Sequence, residues 1–366
     1  MNSHVTSLKI NLKSVDFNLN YFKTKLQKNT KLLVVVKAFG YGSDAITIAK
    51  HLQNKVDYFA VAYTQEGVAL RAIGIKTPIL VLHPQVENLD LLVKHQLEPN
   101  LYSHRILDTF ITLAKRNNFI DYPIHLKFNT GLNRLGFLRS ELPKITSKLK
   151  SNSCLKVNSI FSHLAASEDK NETDFSIEQI AIIKKIATDF ENQFGFKPTL
   201  HMCNTSGILN YPQAHFDMVR LGIGLYGFAN EKSKTSELKN VVSLHSCISQ
   251  IHTINIGDSV GYNRGCITNR PMKTATIPIG HADGISRKLG NGNSYVHINN
   301  QKAFIVGNVC MDMIMVDVTD INCNEGDEVI IFDSQETVEA LAENLDTISY
   351  EFLTAISQRI KRYVTS

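Results

Sequence analysis

Between residues 32 and 221 the sequence alternates without interruption between short apolar runs and longer stretches with helical spacing. The runs fall at 32–36, 58–62, 79–82, 97–101, 124–128, 157–162, 199–202 and 218–221. Each has the length of a strand, and consecutive apolar residues suit a strand buried on both faces. In the intervening segments apolar residues recur at i, i+3, i+4 and i+7, as with Ala45, Ile48, Ala49 and Leu52 behind a candidate N-cap, Asp44. Eight such units fit a closed (β/α)8 barrel of the TIM type better than an open doubly wound sheet. No Gly-x-Gly-x-x-Gly follows the first run, which weakens a dinucleotide-binding reading.

A barrel of parallel strands does its chemistry where the strands end. The first run, Leu32-Leu33-Val34-Val35-Val36, leads into Lys37-Ala38-Phe39-Gly40-Tyr41-Gly42. An ammonium beside an apolar strand is costly unless it is paired or its pKa falls, and a neutral amine is what Schiff-base chemistry requires. Glycines 40 and 42 allow close approach of the backbone to a ligand, with the Tyr41 hydroxyl between them. The local pattern leaves two readings open: a reactive lysine, or one that ends a strand with its charge in solvent.

Other strand ends add polar groups on the same face. The fifth carries Lys127 and runs on to Arg134, the sixth ends at His163, the seventh leads into His201-Met202-Cys203-Asn204-Thr205, and the eighth holds Arg220 before Gly222-Ile223. Singly, Lys127, Arg134 and His163 read equally well as rim salt bridges or a core histidine. Arg220 is harder to dismiss, because an arginine flanked by Met218, Val219 and Leu221 keeps its charge and must find acceptors. His163, His201 and Cys203 lack a fourth ligand and a zinc spacing, so no metal is expected.

Beyond a polar stretch at 231–240 the pattern changes to period two, with expected strands at 242–246, 274–279, 295–298, 303–306, 314–318 and 329–332, and helical segments at 338–345 and 350–363. Turns are expected at 256–258, 291–293 and 325–327. The expected division is a barrel over 10–232 and a mostly antiparallel β domain over 233–366, which residues 1–9, with a possible edge strand at 8–12, would join. Ser259-Val260-Gly261-Tyr262-Asn263-Arg264, Gly280-His281-Ala282-Asp283-Gly284 and Gly307-Asn308-Val309-Cys310-Met311-Asp312 are loops suited either to building a site or to ordinary turns. The net charge of +5 over 366 residues implies neither nucleic acid nor a membrane surface as partner. Six cysteines without a Cys-x-x-Cys pair, no signal-peptide pattern and no membrane-length apolar run point to a reducing, cytoplasmic setting.

Taken in order from Val35 to Tyr350, these residues resemble the alanine racemases, fold-type III pyridoxal-phosphate enzymes. The resemblance implies that Lys37 holds pyridoxal 5'-phosphate as a Schiff base. It also implies that Tyr41, Asn204, Thr205, Gly222, Ile223 and Tyr350 surround the phosphate and that His163 lies against the ring. Arg134, positioned by Lys127 (a carbamate in some members), would face the phenolic oxygen, and Arg220 the pyridine nitrogen. Tyr262 would be the second catalytic base, reaching in from a partner subunit with Met311 beside it, so a head-to-tail homodimer is implied. The substrate would be alanine and the product D-alanine for peptidoglycan. Two departures stand out: His281 where a tyrosine is common, and Asn308 where an arginine is frequent. His281 keeps a racemase for serine or lysine in view. A decarboxylase would carry a carboxylate at Arg220, and a non-catalytic carrier would lack the β domain.

Racemisation needs a proton removed from one face of a planar adduct and returned to the other, which two bases on opposite faces provide. An arginine at the ring nitrogen, with a pKa above ~12, donates a hydrogen bond without surrendering its proton and so keeps the ring a weaker electron sink.

Overall fold

The computed structural model describes residues 5–365. β1 (Ser7–Asn11) precedes eight parallel strands that close a barrel in sequence order: β2 (Lys31–Val35), β3 (Tyr58–Val61), β4 (Ile79–Val81), β5 (Glu98–Leu101), β6 (Tyr122–Lys127), β7 (Leu155–Phe161), β8 (Thr199–His201) and β9 (Met218–Leu221). All eight expected barrel strands are present. β2 closes the ring by pairing with both β3 and β9.

Alternation along the strands decides what faces the lumen. Leu32, Val34 and Val36 pack outward into the layer shared with the helices, whereas Leu33 and Val35 join Ala60, Leu80 and Met218 in a small inner cluster. A period of two carries the inner face from Leu33 and Val35 to Lys37. The same parity separates outward Ile124 and Leu126 from His125 and Lys127 on β6, and outward Val219 and Leu221 from Arg220 on β9. The lumen is therefore apolar in part and polar on its β5–β9 side.

The remaining strands are β10 (Val242–Cys247), β11 (Gln250–Ile254), β12 (Ser259–Val260), β13 (Cys266–Ile267), β14 (Met272–Ile277), β15 (Tyr295–Ile298), β16 (Gln301–Val306), β17 (Ile314–Asp317), β18 (Glu328–Phe332) and β19 (Lys361–Thr365). Nine strands form one sheet in the order β11-β14-β17-β16-β15-β18-β10-β1-β19, and β12 pairs with β13 separately. Every pairing in the large sheet is antiparallel except β1 with β19.

Three expectations need correction. The sequence leads one to expect the first helix around Phe17 to Leu26; it begins instead at Leu12, because the Asn11 side chain accepts from the Ser14 amide at 3.0 Å and caps it there. β1 is not an edge strand, since β19 covers its outer side. The helix expected over 350–363 stops at Ala355, and Lys361–Thr365 is a strand. Ile356 and Ile360 have helical spacing and are both buried, but Arg362 donates to the Gly42, Ser43 and Ile356 carbonyls and fixes an extended tail beside β1. Of residues 1–9, expected to join the β domain, residues 1–4 lie outside the described residues.

Candidate active site

Lys37 lies two residues beyond the end of β2, and the backbone after it turns the wrong way for L-residues. Ala38, Phe39, Gly40 and Tyr41 have φ of 51°, 56°, 65° and 53°. Such a left-handed turn costs roughly 1–2 kcal/mol for each non-glycine residue, so fixed partners must offset it. Glu66 is the main one: its Oε1 accepts from the Ala38 amide at 2.7 Å and its Oε2 from Ala62 and Tyr63 at 2.7 and 3.1 Å. Gly42 closes the turn under the helix Ser349–Ala355, where a Cβ would stand 2.0 Å from the Leu353 carbonyl oxygen. That contact seats Tyr350, from the far end of the chain, at the barrel mouth.

A cavity of about 780 Å³ opens there, lined by Lys37, Tyr41, Lys127, Arg134, His163 and Arg220. Asn204, Thr205, Gly222, Ile223 and Tyr350 complete the set expected from one chain. Burial, then Arg134 and Arg220, lowers the Lys37 pKa, with Glu66 opposing. Lys127 falls to about 8, through burial first and then Arg220, Arg134 and Lys37. Both shifts favour neutral amines closer to neutral pH.

Arg220 is 4% exposed and has no carboxylate partner among the described residues. Its Nη1 donates to His201 Nδ1 at 2.8 Å, and its Nη2 donates to the Ser162 and Met202 carbonyls and to His163 Nδ1, each at 2.9 Å. Burial lowers even this guanidinium to about 10, which leaves it a cation at neutral pH. His163 and His201 fall well below the ordinary histidine range, through burial and then Arg220, and are neutral acceptors. Both ring nitrogens of His201 are engaged within the protein. Cys203 Sγ donates to the Ala214 carbonyl at 3.1 Å.

Around Thr205 the chain forms a small cradle. Thr205 Oγ1 accepts from the Gly222 and Gly224 amides at 3.3 and 3.2 Å, and Asn204 Oδ1 accepts from the Gly207 amide at 2.9 Å. A Cβ at Gly222 would lie 2.6 Å from the Tyr41 hydroxyl oxygen. The Tyr350 hydroxyl donates to Asn230 Oδ1 at 3.0 Å.

Tyr262 and Met311 are not part of this cavity. They are 71% and 58% exposed on neighbouring loops of the β sheet region. Asn308 Nδ2 donates to the Tyr262 carbonyl at 2.9 Å, so the asparagine that replaces a frequent arginine braces this loop. The His281 and Ala282 amides donate to the Cys310 and Met311 carbonyls, which docks the loop carrying the exposed His281 against Met311. Sequence reasoning missed Glu66, whose signal was an acid at the third position of a helix following a strand end.

The alanine racemase N-terminal domain family matches residues 10–230 and the alanine racemase C-terminal domain family residues 241–364. This chain belongs to the alanine racemase family. An alanine racemase from Clostridium novyi is 35% identical over 96% of this chain and 93% of its own length. Alanine racemase 1 of Caldanaerobacter subterraneus is 33% identical over 98% and 94%. Among solved structures, the Clostridium difficile alanine racemase superposes with a TM-score of 0.94 at 32% identity, over 100% of this chain and 97% of that one. The Bartonella henselae alanine racemase, solved with covalently bound pyridoxal phosphate, gives 0.88 at 30% identity over 99% of each chain. The C-terminal match removes the carrier reading, which required a lone barrel.

Proposed function

We propose that this chain interconverts L- and D-alanine with pyridoxal 5'-phosphate, as a head-to-tail homodimer in the cytoplasm, supplying D-alanine for peptidoglycan. One observation carries the reading: an amine of lowered pKa shares a cavity with a fully buried arginine that, among the described residues, has no carboxylate partner.

The residues fit the cofactor. Lys37 offers the amine for covalent attachment, and among the described residues the Tyr41 hydroxyl makes no protein hydrogen bond while standing over Gly222, where no side chain fits. Tyr41, Asn204, Thr205, Gly222, Ile223 and Tyr350 would hold the phosphate, His163 and Arg220 the ring, and Arg134, with Lys127 behind it, the phenolic side. When bound, the group withdraws electrons and acidifies the Cα–H of an attached amino acid. Arg220, held by four acceptors, keeps its proton and offers only a hydrogen bond. Lys37 takes or returns a proton at Nζ on one side, and Tyr262 of the partner subunit does so at its phenol oxygen on the other. Tyr262 and Met311, large and exposed, suit a surface completed by a second copy.

The division into a barrel over 10–232 and a β domain over 233–366 assigns one base to each part. Six unpaired cysteines support a reducing compartment, and no helix among the described residues is long and apolar enough to cross a membrane.

The test is an absorbance spectrum of purified protein, borohydride trapping with peptide mapping, and a chiral assay of L-alanine. Expected are a trapped adduct on Lys37 and racemisation, both lost in Lys37→Ala. Adduct formation without racemisation of alanine would overturn the activity, and trapping on another lysine the site.

A further inference from the structure

Below the cavity a chain of buried polar side chains crosses the barrel lumen. Arg220 Nη1 lies 2.8 Å from His201 Nδ1, and His201 Nε2 lies 2.9 Å from Ser159 Oγ. Ser159 Oγ lies 2.6 Å from His125 Nδ1, and His125 Nε2 lies 2.7 Å from Glu98 Oε2. Exposure along it runs from 0% at His201 to 8% at Glu98.

The order of protons in this chain follows from its two ends. Arginine only donates, so His201 Nδ1 must be bare and its proton must sit on Nε2. That proton points at Ser159 Oγ, which therefore accepts from His201. Among the described residues the Ser159 hydroxyl has one other partner, His125 Nδ1. If His125 carried a proton there, two donors would meet the serine oxygen and its own O–H would be buried without an acceptor, a costly arrangement. Full pairing therefore requires a bare Nδ1 and a protonated Nε2 on His125. That last proton meets Glu98, which also receives Asn158 Nδ2 and the Tyr58 hydroxyl at 3.3 Å each. A group approached by three donors is a carboxylate, and hydrogen bonds from His125, Asn158 and Tyr58 lower its pKa against the effect of burial.

We propose that Glu98 is the counter-charge of Arg220 and its remote positioning residue, acting through His125, Ser159 and His201 as a single head-to-tail hydrogen-bonded relay. All four bonds then point from cation to anion, and each dipole strengthens the next. This arrangement gives Arg220 an anion without placing a carboxylate at the ring site, where one would compete for the guanidinium and donate or remove protons. The relay locks His201 as an acceptor, which fixes one edge of the Arg220 fork. The far half of the relay thus acts on the cofactor pocket through Arg220.

The proton order rests on side-chain geometry alone, while its consequence for turnover rests on the activity proposed above. The first measurement is nitrogen NMR of histidine-labelled protein, both cofactor-free and loaded. Neutral His125 and His201, each with its proton on Nε2, are expected. Protons on both nitrogens of His125, or on Nδ1 of His201, would overturn the relay without touching the racemase reading.

The second measurement uses Glu98→Gln and Ser159→Ala in the loaded protein. Each is expected to shift the His201 Nδ1 resonance and the cofactor's absorbance bands, and to lower kcat about tenfold, the lower end of what losing an outer partner of a charged group costs. KM for alanine should stay within about twofold. Unchanged His201 resonances and absorbance in a folded Glu98→Gln protein would show that Glu98 is merely structural. If the variants do not fold, the wild-type tautomers still decide the proton order. A wild-type protein that shows the expected tautomers but does not racemise alanine would overturn the activity and leave the relay standing.

Discussion

Mixing two inactive variants tests whether each site draws its bases from two chains. Lys37→Ala removes the amine from the cavity, and Tyr262→Phe removes the hydroxyl of a residue that is 71% exposed and does not line that cavity. Either homodimer should be inactive or nearly so. In a hybrid of one Lys37→Ala and one Tyr262→Phe chain, one site carries both substitutions, while the other pairs an intact lysine with an intact tyrosine. Random reassembly of an equal mixture makes about half of the dimers hybrids, each with one competent site in two. Racemisation per chain should thus recover to about one quarter of wild type, a ceiling set by symmetry. Polarimetry or a chiral assay after co-expression measures this, and native mass spectrometry counts the hybrids. Were Tyr262 to serve the Lys37 of its own chain, no hybrid would hold a complete site. Verified hybrids with no more activity than the two variants summed would therefore refute the shared-site argument.

Three further substitutions follow from packing and charge. Lys127, 7% exposed, has its pKa lowered from 10.5 to about 8, so between those values the folded chain binds fewer protons than the unfolded one and stability rises with pH. The penalty is complete below about pH 8. Lys127→Met should stabilise the cofactor-free protein at pH 7 by about 3 kcal/mol, with the gain fading as pH approaches 10.5; urea unfolding showing no gain at pH 7 would contradict this. Gly224→Ala would put a Cβ 2.4 Å from Cζ of the fully buried Phe22 and 2.8 Å from Thr205 Cγ2. It should cost about 1–3 kcal/mol and weaken cofactor binding. In Gly74→Ala, where nothing lies within 4 Å but φ is +88°, the expected cost is backbone strain alone, about 1 kcal/mol, with cofactor affinity intact; thermal unfolding and cofactor titration separate the two.

The barrel was legible because strands buried on both faces leave uninterrupted apolar runs, and parity alone carried Lys37, Lys127 and Arg220 inward. The tail from Ile356 was not, because two buried isoleucines four apart look the same on a helix as on a turn that enters a strand. What decided the matter was Arg362, whose carbonyl acceptors include Gly42 and Ser43, more than three hundred residues earlier. Glu66 escaped notice because an acid at the third position of a helix reads as an ordinary cap, and its bond to the Ala38 amide, from a different strand end, carries no sequence signature. The relay was only partly visible: His201 stood in the stretch after the seventh strand, but Glu98 sits on a strand start where an acid reads as solvent-facing. Only the closed ring, which sets β5 beside β6 and β6 beside β7, turns it toward His125.

Charge at the cavity yields a last prediction. Lys37, Lys127, Arg134 and Arg220 all line it, and Glu66, the carboxylate that acts on Lys37, is bound to three backbone amides. Burial first, and then repulsion among like charges gathered in the same space, lowers the values at Lys37, Lys127 and Arg220. The cofactor-free protein therefore stores an electrostatic penalty that a dianion relieves. A ligand that binds only the folded state stabilises it by RT ln(1 + [L]/Kd), about 2.7 kcal/mol at a hundredfold excess over Kd. Inorganic phosphate should accordingly raise the melting temperature of the cofactor-free protein above that in chloride at matched ionic strength. The difference should shrink in Gly222→Ala, where a methyl group crowds the Tyr41 hydroxyl, and should vanish once the cofactor is bound. Equal melting temperatures in phosphate and chloride would show that the cations are held apart by solvent, and that their convergence on one dianion is not what shapes the site.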